Sequence, residues 1–136
     1  MTGKELMSLA LEARERAYVP YSNYKVGAAL IDGSGKVFTG CNIENAAYSP
    51  SNCAERTAIF KAISEGSMEF TALAVVADSP HPVTPCGVCR QVMAEFFKPH
   101  TPVYLGNVKG EMVKTTVGEL LPGAFTAEAM NQEGRH

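Results

Sequence analysis

Three cysteines and one glutamate are the residues of this chain best equipped for chemistry: Cys53 and Glu55 in Cys53-Ala54-Glu55, then Cys86 and Cys89 in Pro85-Cys86-Gly87-Val88-Cys89. The spacing of Cys86 and Cys89 lets neighbouring thiolates grip a single tetrahedral metal ion. Cys53 offers a third thiolate from a separate segment, with Glu55 beside it. Three protein ligands leave the fourth zinc position open, which is the catalytic rather than the structural pattern. A carboxyl group next to that position can move protons. The chemistry implied is metal-assisted hydrolysis.

Charge and geometry constrain this reading. Three thiolates on Zn²⁺ leave a net negative site that would hold a water proton too tightly. Arg56 lies three residues beyond Cys53 on the same helix face and can donate to the sulfurs. Inside one helix, however, Cys53 and Glu55 would face apart, so the metal must sit off the helix end. If Asn52 were the N-cap, Glu55 would occupy the third helical position and act simply as a capping-box residue. Asn42 and Glu44 share a face near a strand end, where an amide beside a carboxylate suits sugar hydroxyls or simply makes the strand end polar. Two rival readings use the same cysteines. Cys41 as a fourth ligand would make a non-catalytic structural Cys₄ zinc module, although strand alternation turns it away from Asn42 and Glu44. A dithiol oxidoreductase would use Cys86-Gly-Val-Cys89 and leave Cys53 and Glu55 without a task.

The elements that would position these residues follow from periodicity. Thr2 and Glu5 have capping-box spacing. Leu6, Leu9, Ala10, Ala13 and Ala17 recur at helical intervals, and Val19-Pro20 predicts the stop. Strand-like runs 25–31 and 36–43 flank Asp32-Gly33-Ser34-Gly35, which reads as a hairpin loop. A helix is predicted over 53–65 with Ala54, Ala58, Ile59, Ala62 and Ile63 inward and Gly66 as its stop. The run 71–77 is apolar on both faces, as in a covered central strand. A proline-rich loop leads to a helix over 87–97, strands 102–106 and 112–115, and a short helix opened by Thr116 and Glu119. This order predicts one α/β domain over 1–136, with three layers, α/β/α, around a mixed sheet of roughly five strands. A polar tail occupies about 126–136. Cys53, Cys86 and Cys89 then fall at helix starts just after strands, the edge where ligands collect in open α/β sheets.

Length, at 136 residues, suffices for one buried core. Net charge is −2 with a pI of 5.9, and no basic run of nucleic-acid-binding type occurs. No stretch approaches the roughly 20 apolar residues of a membrane span, and the charged N-terminus lacks a secretory pattern. A reducing cytoplasm is the expected setting, where Cys-x-x-Cys serves metals or catalysis more than structural disulfides.

The segments Tyr21–Leu30 (YSNYKVGAAL), Gly40–Tyr48 (GCNIENAAY), Cys53–Ala58 (CAERTA), Pro85–Val92 (PCGVCRQV) and Glu119–Phe125 (ELLPGAF) resemble the small homotetrameric cytidine deaminases. The resemblance spans nearly the whole chain and includes the cysteine–glutamate signature of zinc deaminases. It implies the cytidine-deaminase-like fold, one Zn²⁺ per subunit on Cys53, Cys86 and Cys89, and Glu55 as proton shuttle. It further implies that Asn42 and Glu44 hold the ribose, Glu44 on the 3′-hydroxyl, with Tyr24 and Ala54 also on the nucleoside. Ala46, Tyr48 and Phe125 would reach a neighbouring subunit's site, Phe125 stacking on the base, so the active enzyme would be a homotetramer. The implied reaction is hydrolytic deamination of free cytidine and deoxycytidine in pyrimidine salvage. A deaminase of another cytosine nucleoside, such as an antibiotic, would keep the same chemistry. Two positions depart from the family: Tyr24 stands where phenylalanine is common, and Val88 where alanine is usual.

Overall fold

Helix α1, Gly3–Arg14, begins where Thr2 and Glu5 predict it. In the computed structural model, which describes residues 1–127, Thr2 Oγ1 accepts from the Glu5 N–H and Glu5 Oε1 from the Thr2 N–H, each at 3.1 Å. Leu6, Met7, Ala10 and Ala13 form its buried stripe. The helix stops short of Val19-Pro20, so Ala17 lies outside it. Its end tightens into bonds from Arg16 to Ala13 and from Ala17 to Arg14. Tyr18 then donates to Asn42 O and accepts from the Glu44 N–H. Tertiary pairing, rather than the proline, terminates α1.

Strands β1 (Val26–Asp32), β2 (Val37–Cys41), β3 (Phe70–Ala77), β4 (Pro102–Asn107) and β5 (Met112–Thr116) lie in the order β2-β1-β3-β4-β5. Only β3 and β4 run parallel; the other neighbours are antiparallel. This is the mixed five-stranded sheet expected. On one face, Leu6, Met7 and Ala10 of α1 pack on Ala29, Ala74 and Val76. On the other, helices α2 (Ala54–Ser64) and α3 (Gly87–Phe96) bring Ala58, Ile59 and Met93 against Leu30, Leu73, Val75 and Val103. Burial of β3 from both sides explains its unbroken apolar run. A four-residue helix α4, Val117–Leu120, is capped by Thr116, whose Oγ1 accepts from the Glu119 N–H at 3.2 Å.

Two details carry the fold toward the site. Strand β2 ends at Cys41 rather than Ile43. Asn42 turns its side chain to Tyr24 and Val26, and Ile43 bridges Tyr18 and Asn52, so the chain leaves the sheet there. Gly40 lets α2 settle on β2. A Cβ at Gly40 would lie 2.5 Å from Ala58 N and 2.6 Å from Ala54 O, pushing away the helix whose first turn carries Glu55. The expected polar tail lies, from residue 128 onward, outside the described residues.

Asp32 organises the β1–β2 hairpin. Its Oδ1 accepts from Ser34 N–H, Ser34 Oγ–H and Lys36 N–H at 3.0, 2.7 and 2.9 Å, and its Oδ2 from Ser67 Oγ–H at 2.7 Å. The hydroxyls of Ser34 and Ser67, followed by the backbone donors, hold its carboxyl at about 2, below the ordinary 3.8. A carboxyl depressed on folding adds stability above its unfolded value and loses that stability as pH falls through the folded one. Asp32→Asn should therefore be less stable than the parent at neutral pH, with the gap narrowing from pH 3.8 to about 2. Urea unfolding midpoints at both ends of that range check this.

Candidate active site

Helices α2 and α3 both begin on a cysteine. Cys53 caps α2 and Cys86 caps α3, each with extended backbone. The Cys53 thiol makes no cap hydrogen bond, so it is available to turn off the helix end. Cys86 Sγ accepts from the Cys89 N–H at 3.4 Å. The Cys53–Glu55 spacing is thereby resolved: only Glu55 is inside the helix, at its second position. The capping-box alternative fails because Asn52 is not the N-cap; its amide donates to Thr57 Oγ1 at 3.1 Å instead.

The three sulfurs converge. Cys53 and Cys86 are 3.8 Å apart, Cys86 and Cys89 3.3 Å apart, and all three lie within 4.8 Å of one another. Zinc–sulfur bonds of about 2.3 Å in tetrahedral array place sulfurs about 3.8 Å apart. The first separation fits that value, and the second needs to open by about half an ångström. All three thiols are free of disulfides, and Arg56 Nη2 donates to Cys53 Sγ at 3.3 Å. Arg56 Nε is buried with no partner among the described residues, a spare donor on a side chain already bound to one sulfur. The residues present fit a zinc ion. Cys41, half-buried at the end of β2, is outside the group, so the Cys₄ alternative does not hold among the described residues.

Electrostatics divide the roles. The hydrogen bond from Cys89 and the Arg56 guanidinium hold the Cys53 thiol down at about 5 against the cost of burial. Cys89, which donates to Cys53 and is fully buried, is pushed up. Glu55 is 4% exposed. Burial raises its carboxyl to about 7; the negative Cys53 adds to this, while its own backbone N–H and the Cys89 thiol oppose it. An acid near neutrality can both take and give a proton at working pH.

A cleft of about 440 Å³ opens over this centre, lined by Asn42, Glu44, Tyr48, Cys53, Arg56 and Val88, with Ser49, Ser51 and Asn52. Asn42 Oδ1 accepts from the Val26 N–H at 2.9 Å, and its Nδ2 donates to Tyr24 O at 2.8 Å. Glu44 Oε1 accepts from the Tyr21 and Ser22 N–H groups at 3.0 and 3.1 Å, and Oε2 from the Ser22 hydroxyl. The Ser22 hydroxyl, joined by the Ser22 and Tyr21 N–H groups, keeps Glu44 below the ordinary carboxylate range. These bonds fix the Tyr21–Val26 loop, where Asn23 takes a positive φ of 57°. Tyr24 is exposed on that loop. Tyr48, also at positive φ, stacks edge-on against Tyr21 with centroids 6.5 Å apart. Ala46 and Phe125 are exposed and line no part of this cleft. Ala54 is fully buried beneath it. Sequence reasoning missed Ser22 and Tyr21; the turn composition Ser22-Asn23 after Pro20 was their available signal.

Fold and site together define a zinc-binding α/β/α protein of hydrolytic type. A family model described as cytidine and deoxycytidylate deaminase zinc-binding region matches residues 1–105, and the chain belongs to that family. A cytidine deaminase from Halalkalibacterium halodurans is 60% identical over 96% of this chain and 99% of its own length. One from Sporosarcina psychrophila is 57% identical, covering 96% of each chain. The crystal structure of cytidine deaminase from Burkholderia pseudomallei superposes with a TM-score of 0.90 at 54% identity, covering 92% of this chain and all of that one.

Proposed function

We propose that this chain converts free cytidine and deoxycytidine to uridine and deoxyuridine, with release of ammonia, as a zinc-dependent hydrolase of pyrimidine salvage. The observation that carries the reading is a buried glutamate, raised toward neutrality, at the edge of a three-sulfur cluster under an open cleft. Cys53, Cys86 and Cys89 would hold the metal, which supplies Lewis acidity and a water made nucleophilic near neutral pH. Glu55 takes a proton from the attacking water and hands it to N3 of the cytosine ring. It then takes the remaining proton from the new C4 hydroxyl and delivers it to the amino group, which departs as ammonia and leaves the C4 carbonyl of uridine. Asn42 and Glu44 hold the sugar. Glu44 Oε2 and the Asn42 amide nitrogen keep capacity beyond the loop bonds described, and Glu44 stays ionised to accept from the 3′-hydroxyl.

Arg56 offsets the thiolate charge through Cys53. Arg56→Ala should weaken zinc retention or turnover by about 10–100-fold, the range for partners of metal ligands. Zinc content and kcat on cytidine check it; unchanged values remove Arg56 from the mechanism. The same reading makes the chain a single domain and assembles four copies, with exposed Ala46, Tyr48 and Phe125 completing a neighbour's cleft and Tyr24 beside the nucleoside. It places the enzyme in the cytoplasm. No helix among the described residues is long and apolar enough to cross a membrane.

The direct test follows ammonia release from cytidine by purified protein, before and after chelation and on return of Zn²⁺. Turnover that vanishes with the metal and returns with it supports the reading. Turnover of a cytosine antibiotic but not of cytidine would move the substrate.

A further inference from the structure

We propose that Arg90 is a positioning residue that ties the metal-ligating start of α3 to the segment carrying Phe125; the catalytic consequence rests on the deaminase reading above. The chain entering Cys86 is poor in its own donors. Pro80, Pro82 and Pro85 have no N–H, so the loop must be held through bonds made elsewhere. Val83 N–H donates to Gly106 O at 3.2 Å and Asn107 Nδ2 reaches Pro80 O at 3.5 Å. Arg90 Nε donates to Pro85 O at 2.9 Å. That carbonyl belongs to the residue immediately before Cys86, the one exposed member of the three sulfur residues.

The same guanidinium reaches a second element. Arg90 Nη1 donates to Leu120 O at 2.8 Å, a last-turn carbonyl of α4 of the kind a helix leaves without an internal partner. From Leu120 the chain runs through Pro122-Gly123 to Phe125, whose carbonyl accepts from Gln91 Nε2 at 2.7 Å. Two consecutive side chains of α3 thus hold the cysteine loop on one side and the Phe125 segment on the other. Arginine suits the position because its planar fork donates in two directions at once, whereas lysine presents a single point charge.

Arg90→Met keeps an apolar stem and removes both donors. Zinc-loaded parent and variant are compared for zinc release into an excess of a chromogenic chelator, for Tm, and for kcat and KM on cytidine. Release is expected to quicken by about tenfold or more, in the range that partners of metal ligands command. KM is expected to rise by a larger factor than kcat falls, and Arg90→Lys should sit between. A guanidinium that only caps α4 would lower Tm while leaving zinc release and KM at parental values, and that result overturns the proposal. Should Arg90→Met not fold, Arg90→Lys decides: release several-fold faster supports the role, and parental release refutes it. Release is read from zinc alone, so a parent that holds zinc without deaminating sinks the deaminase reading while the release rates still decide on Arg90.

Discussion

Glu55→Gln is expected to keep its zinc and lose about 10²–10⁴-fold in kcat, the contribution of a well-placed acid–base group. The substitution preserves size and burial but ends proton exchange. Glu55 is the second residue of α2 and its carboxyl meets its own backbone N–H; a glutamine carbonyl oxygen can keep that contact, so helix stability should be little affected. Burial makes the carboxyl costly to ionise and raises it to about 7. The variant should therefore fold at least as well as the parent at pH above that value. Steady-state rates and metal analysis on the same preparation check the expectation. A kcat within a few-fold of the parent would remove Glu55 from the reaction.

Cys53→Ala is expected to lose zinc and, with it, turnover. Partners of ligands already cost about 10–100-fold in metal affinity, so removing a ligand should exceed that range. Cys53 is the informative choice among the three because its sulfur makes no cap bond to α2, and its alanine variant keeps the helix start. Cys89, by contrast, is fully buried in the core, and Cys86 caps α3 through the Cys89 N–H. Parental zinc content in Cys53→Ala would mean that the metal sits on other groups.

Much of this was legible in the chain because the deciding signals are local. The Cys86–Cys89 interval, the Thr2–Glu5 cap and the apolar run of β3 each act within a few residues. The end of α1 was not legible, since it depends on Tyr18 pairing with Asn42 and Glu44. Strand β2 stops early for the same non-local reason. Asn42 and Glu44 could be paired by alternation, but their bonds to the Tyr21–Val26 loop join residues 16 to 23 positions apart. The helix cap at Cys53 rather than Asn52 was hidden because asparagine is by preference the better cap. Convergence of the sulfurs, with Asn52 drawn instead to Thr57, overrides that preference. Arg90 could have been read only from its contacts with carbonyls 5 and 30 residues away, which no periodicity encodes.

X-ray absorption at the zinc edge of the loaded protein tests the central claim most directly. Three sulfur neighbours at about 2.3 Å and one lighter donor at about 2.0 Å is the result expected of an open, three-cysteine centre. Four sulfur neighbours would close the centre and contradict the hydrolytic assignment.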